Sequence, residues 1–160
     1  MLATQSTLQS KNYQNLRKLH SHDCEIFEQA CIGWVELVES GQGFIDSNAH
    51  NLNIIKACLK DIHQNDIDQI VLGCTHFPFL KPLILKYLES TNTKKNIQIV
   101  DTSSAVANHL KTILMTNNLL NINEIHPVNK VEIYSSANKV NQQLLTSLCQ
   151  APIHYKGKFE

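Results

Sequence analysis

The stretch DQIVLGCTHFP, residues 68–78, decides how the chain is read. A short apolar run, Ile70, Val71 and Leu72, stops at Gly73, and Cys74, Thr75 and His76 follow at once. An apolar run of this length bounded by a turn is a buried strand, here 68–73. From about Lys81 to Ser90 the pattern turns helical, with Pro82 tolerated in the first turn. The same strand–turn–helix order recurs twice. NIQIV (96–100) leads through Asp101, Thr102 and Ser103 to a helix ending near Met115, and KVEIYSS (130–136) leads to one ending near Leu148. Alternation at these lengths predicts an α/β fold, a parallel sheet flanked by helices.

Upstream of the motif, residues 48–64 carry Leu52, Ile55, Cys58, Leu59 and Ile62 at helical spacing, with Ser47 or Asn48 to cap the start. Cys58 is therefore expected in the core. EIFEQA (25–30) alternates as a strand does. Residues 9–20 are expected to be helical, with Ser10 as the cap and Tyr13, Leu16 and Leu19 along one face. Met1, Leu2 and Ala3 read as the last residues of a strand whose first half lies outside the chain.

At 160 residues the chain can bury a genuine core, and Lys plus Arg balances Asp plus Glu at 14 each. No net field draws it to nucleic acid or a membrane, which leaves a small molecule as the expected partner. No run of apolar residues is long enough to span a bilayer, and the start lacks a basic, apolar leader pattern, so the reading is soluble and cytoplasmic. Five cysteines (Cys24, Cys31, Cys58, Cys74, Cys149) form no CxxC pair, and their odd number leaves a free thiol, as expected in a reducing compartment.

In an open α/β sheet, ligands bind at the carboxyl ends of the strands, where Cys74, Thr75 and His76 would lie. A neighbouring helix start offers free N–H groups and a positive dipole end, which favour a carboxylate and a thiolate. His76 can exchange protons with the thiol, and Gly73 permits close approach. The competing reading makes Cys74 a small buried hydrophobe. Zinc would need about four ligands, and Cys74 with His76 gives two. His20, His22 and Cys24 in HSHDC have ligand-like spacing, but a solvated loop accounts for them as well.

LGCTHFP resembles the second catalytic-cysteine motif of the bacterial glutamate racemases, and His76 separates it from the aspartate racemases, which usually carry glutamate there. LATQSTLQSKNY resembles the family's Thr-x-x-Thr-x-x-Ser-x-x-Tyr segment, here Thr4, Thr7, Ser10 and Tyr13. ACIGWVELVESG resembles the segment that carries its active-site glutamate, here Glu39, although Ile32 and Glu36 replace both prolines of that segment. IVDTSSAVANHL and KVEIYSSANKV resemble later units. The resemblance implies the second domain of a two-domain racemase over residues 1–100, followed by a segment, 101–160, that returns to pack on the first domain.

It also implies a cofactor-independent, cytoplasmic isomerase that interconverts L- and D-glutamate for peptidoglycan, cell-wall biogenesis and cell shape. Cys74 would act on the L-glutamate face with His76 as its proton partner. Thr75, Thr7 and Thr4 would bind the substrate's polar groups, and Glu39 would contact the ammonium or the groups around it. The family's Asp-Ser-Gly, Pro-Tyr-Gly and Cys-Asn-Thr motifs do not occur here, and the last of these carries its other catalytic cysteine. About 100 residues of the pattern, a domain's worth, are thus expected to be missing, which makes the chain an inactive fragment unless a homodimer or a separate amino-terminal half completes it. The alternatives are a glutamate-binding remnant without turnover and another racemase of the superfamily. Without its partner domain, the faces around Val100, Val106, Leu110 and Ile113 are expected to be partly exposed.

Overall fold

The computed structural model describes residues 1–41, 48–62, 66–91, 96–120, 131–136 and 140–158. The chain forms two compact units, Met1–His109 and Leu110–Glu160. The first opens with β1 (Leu2–Ala3), α1 (Gln5–Gln9), α2 (Lys11–His20), β2 (Gln29–Ala30) and α3 (Trp34–Glu39). It continues with α4 (Ala49–Leu59), β3 (Gln69–Leu72), a 3-10 turn (Phe77–Leu80), α5 (Lys81–Ser90) and β4 (Gln98–Asp101). Helix α6 (Ser103–Thr116) leads into the second unit, which contains β5 (Val131–Ser135), α7 (Gln142–Cys149) and β6 (Ile153–Lys158).

All strand pairs are parallel, in the order β2-β1-β3-β4 in the first unit and β5-β6 in the second. Ile70 and Leu72 turn one face of β3 into the core, where α4 packs on α5 and the first turn after the motif packs on α3. Trp34, Phe77, Ile55, Leu80 and Ile84 are wholly buried there. The caps follow local chemistry. Ser10 ends α1 and starts α2, accepting from the Tyr13 amide at 3.2 Å, and Asn48 accepts from the Asn51 amide at 2.8 Å. Ser47, Lys130 and the last two residues of the expected 48–64 helix lie outside the described residues.

Several expectations are corrected. The expected 9–20 helix is α2, capped by Ser10 as anticipated, but a separate short helix, α1, precedes it, and Leu16 and Leu19 on α2 are exposed. The 25–30 strand shrinks to Gln29–Ala30, because β1 offers only Leu2 and Ala3 as ladder partners. Helix α4 stops at Leu59, yet Ile62 beyond it is still buried. Cys58 is in the core as expected, but it is bonded to Cys31, its Cα 5.4 Å away, a link that no sequence spacing announced. Cys24, Cys74 and Cys149 are free. Strand β6 had no counterpart in the reading. On α6, Val106, Leu110 and Ile113 are exposed, as anticipated, while Val100 is half-buried. No helix among the described residues is long and apolar enough to cross a membrane.

Helix α2 is tied to the chain ahead of β2 through Glu28, whose Oε1 accepts from the Tyr13 hydroxyl at 3.1 Å and pairs with Arg17 Nε at 3.1 Å. Burial first, then the hydrogen bond and charge of Glu28, push Tyr13 up to about 12. A phenol whose folded value lies above its ordinary 10 adds stability that is complete below pH 10 and lost as pH rises through 12. Titration of phenolate absorbance is expected to show one tyrosine ionising near pH 12, absent in Tyr13→Phe, with stability falling over that interval. A Tyr13 midpoint at the ordinary value would contradict the Glu28 contact.

Candidate active site

The strand order fixes where a site can form. From β1 the chain goes to β2 on one side and then crosses to β3 on the other, so the order reverses between β1 and β3. At such a reversal the connections leave in opposite directions and open a crevice beyond the strand ends. Leu2 of β1 pairs with Leu72 of β3, and the Gly73 amide donates to the Leu2 carbonyl at 2.8 Å. This register brings Thr4 and Cys74 to the same edge on neighbouring strands. A Cβ on Gly73 would stand 3.1 Å from the Leu2 oxygen and collide with the Met1 side chain, so glycine is what lets the two strand ends close up.

Cys74, half-buried, has its Sγ 3.8 Å from Nδ1 of His76, and Thr75 Oγ1 lies 3.4 Å from the same nitrogen. The other ring nitrogen, Nε2, lies 2.8 Å from Glu39 Oε1. A carboxylate only accepts, so Nε2 is the donor to Glu39, and the tautomer with its single proton there turns Nδ1 to the thiol as an acceptor. Cys74, His76 and Glu39 thus form a relay in which a base is oriented by a third group. Glu39 is 62% exposed and His76 30%, so water screens the pair. Its contribution is orientation of the imidazole more than stability.

Packing sets this geometry. Gly33, at φ +83°, turns the chain into α3, a conformation that glycine adopts without strain. Trp34 then meets Phe77 edge to face, with centroids 4.9 Å apart, and donates from Nε1 to the Ile54 carbonyl at 3.4 Å. Glu39 rides at the far end of α3, and Phe77 directly follows His76. The aromatic pair therefore holds the carboxylate and imidazole together. No role for Trp34 or Phe77 was read from the sequence, although an aromatic residue adjoining a polar motif was a usable signal. Glu39, rather than Glu36, is the carboxylate on His76.

A second cluster occupies the β1 side. Thr4 caps α1 by accepting from the Thr7 amide at 3.3 Å, its hydroxyl lies 2.9 Å from that of Thr7, and Ser6 Oγ lies 3.1 Å away. At the end of β4, Thr102 donates to the Leu72 carbonyl at 3.4 Å, and Asp101 accepts from the Ser103 side chain and then from its amide, which hold its carboxyl below the usual range. The carboxyl ends of these strands thus bring together threonine and serine hydroxyls, the His76 imidazole and one thiol. Among the described residues no group of three or more His, Cys, Asp or Glu could hold a metal ion, and Cys24 Sγ is 3.8 Å from the His20 carbonyl.

No family model matches the sequence. Glutamate racemases do: that of Methylococcus capsulatus is 37% identical over 120 residues, which is 75% of this chain and 41% of the relative. That of Pseudomonas paraeruginosa is 34% identical over 120 residues, 75% of this chain and 42% of the relative. A solved glutamate racemase from Francisella tularensis, in complex with D-glutamate, superposes with a TM-score of 0.79 at 22% identity, covering 99% of this chain and 56% of that one. The Bacillus anthracis structure gives 0.77 at 24% identity, with the same coverages. The chain spans about two-fifths of the length of the curated relatives it matches. It is a homologue of the bacterial glutamate racemases, an isomerase family, and corresponds to a C-terminal portion of them.

Proposed function

We propose that the first unit carries one of the two proton-transfer faces of a cofactor-independent glutamate racemase, with Cys74 as its acid–base group. Racemisation needs a base on one face of the α-carbon and an acid on the other. Cys74, as thiolate, takes the α-proton of L-glutamate, and the electron pair stays on carbon as a planar carbanion. His76 exchanges that proton at Nδ1, and Glu39 holds the ring by its Nε2–H. Thr75, Thr4 and Thr7 meet the substrate's carboxylates with hydroxyl and amide donors. The observation that carries this reading is the Cys74–His76–Glu39 relay at the point where the strand order reverses.

The opposite-face acid lies outside this site. Cys31 and Cys58 are bonded to each other, Cys24 lines a cleft at the amino ends of the strands with Met1 and Phe27, and Cys149 ends α7 in a segment that does not match the family's other cysteine motif. The remaining racemase portion therefore supplies the second acid, and residues from about 101 onward belong against it. The complete enzyme makes D-glutamate for peptidoglycan in the cytoplasm.

Proton NMR of L-glutamate in D2O tests this. The purified chain alone is expected to yield no D-glutamate. Adding the amino-terminal portion of a relative as a separate polypeptide is expected to bring loss of the α-proton signal with inversion. Inversion by the chain alone would mean that a second acid has been overlooked, and exchange that never appears in the mixture would remove the half-site reading.

A further inference from the structure

We infer that Cys31 and Cys58 are a reversible dithiol–disulfide pair whose state governs how firmly α3 holds Glu39 against His76. The two thiols come from the turn after β2 and from the end of α4, and their Cα atoms stand 5.4 Å apart, a separation that a disulfide spans without backbone movement. Both lie in the core, at 4% and 8% exposure. Cys58 nevertheless lines a cleft of about 150 Å³ that it shares with Phe27, Asp61 and Ile67, which gives a small thiol reagent a way in.

The position of the pair gives it leverage. The Cys31 amide is anchored to the Ala3 carbonyl at 3.0 Å, so the sheet holds one side of the bond. Gly33 and Trp34 meet α4 at Ile54, and Cys58 lies one turn further along the same helix. The segment entering α3 is therefore fastened to α4 at two points a turn apart, one noncovalent and one redox-dependent. Opening the covalent point leaves Trp34, by its packing and its hydrogen bond to Ile54, to hold α3. Glu39, at the exposed end of that short helix, then loses definition relative to His76.

The exchange is balanced with a small disulfide of the glutathione type as oxidant. The Cys58 thiolate attacks one sulfur of the oxidised reagent and expels the first thiolate. The Cys31 thiolate then attacks the Cys58 sulfur and expels the second. Two protons and two electrons leave the protein, and the reagent becomes two thiols. Reduction runs the same steps backwards.

The test is an equilibrium series of the whole chain in reduced and oxidised glutathione, quenched by acid and alkylation. A Cys31–Cys58 linked peptide is measured by mass spectrometry and amide hydrogen exchange is followed on the same samples. A linked peptide is expected to rise with the oxidised fraction, with exchange across Trp34–Glu39 slowing by roughly tenfold as the segment's local opening is suppressed. In Cys58→Val, exchange in that segment is expected to lose its dependence on redox state, while the wild-type chain, reduced and reoxidised, controls for any folding defect. Absence of the linked peptide at every ratio would overturn the inference. So would a linked peptide that forms without any change in α3. The consequence for catalysis rests on the function proposed above, but neither readout involves activity, so the two can fail separately.

Discussion

Cys74→Ser is expected to lower α-proton exchange and D-glutamate formation by roughly 10²–10⁴-fold in the chain supplemented with the remaining racemase portion, the span attributed to one positioned acid–base group. Serine preserves the shape of the side chain, although an oxygen in place of Sγ, which stands 3.8 Å from His76 Nδ1, is too far to hydrogen-bond there without movement. Its hydroxyl, however, holds its proton far more tightly than a thiol and cannot serve as the base at neutral pH. Cys24→Ser is the matched control, because that exposed thiol lies in a turn near the opposite edge of the sheet and should leave the rate unchanged. The comparison is made by NMR in D2O under saturating L-glutamate. A Cys74→Ser protein within a few-fold of the parent would assign the chemistry elsewhere, and the His76–Glu39 pair would then be a structural contact.

Trp34→Ala should cost about 3–5 kcal/mol, the range for deleting a large buried aromatic. Trp34 is wholly buried, meets Phe77 at 66° between ring planes, and donates its indole N–H to Ile54. Set against a total stability of roughly 5–15 kcal/mol, the loss would leave the unit near its unfolding limit and lower its midpoint temperature by on the order of 10–20 °C. Urea melts followed by circular dichroism suit this measurement, because the substitution removes the chain's single tryptophan. A change below about 1 kcal/mol would mean that the α3 packing described above is wrong. Trp34→Phe should recover much of the loss, since an edge-to-face partner for Phe77 remains.

Much of this was legible in the residues because the deciding signals are local. Ile70, Val71 and Leu72 ending at Gly73 could only be a buried strand running into a turn, and Ser10 and Asn48 carry side chains that cap helices wherever they stand. The candidate site residues Cys74, Thr75 and His76 are consecutive, so one motif exposes three of them. Glu39 was legible only through the family resemblance. Its place on His76 is a tertiary fact, set by the meeting of Trp34 and Phe77, and sequence spacing contains no trace of it. The Cys31–Cys58 link was hidden for the same reason, with 27 positions between the two thiols and the fold alone bringing them together. The length of β2 depended on how much of β1 exists to pair with it. Strand β6 was a different kind of omission, since Ile153 and Tyr155 alternate visibly with polar residues and Gly157 disguised the pattern.

The placement of β1 between β2 and β3 also determines when the site can exist during folding. Helices α4 and α5 are built from neighbouring residues and can form early, whereas β1 must close two long loops at once, pairing with Gln29 on one side and Leu72 on the other. With only two residues in its ladder, β1 gains little until both neighbours are in place. Thr4 therefore reaches Cys74 as one of the last events. A chain that has collapsed but not completed its sheet would carry the whole Gly-Cys-Thr-His motif and still lack the juxtaposition of Thr4 with Cys74, which is a property of the finished sheet and not of the core.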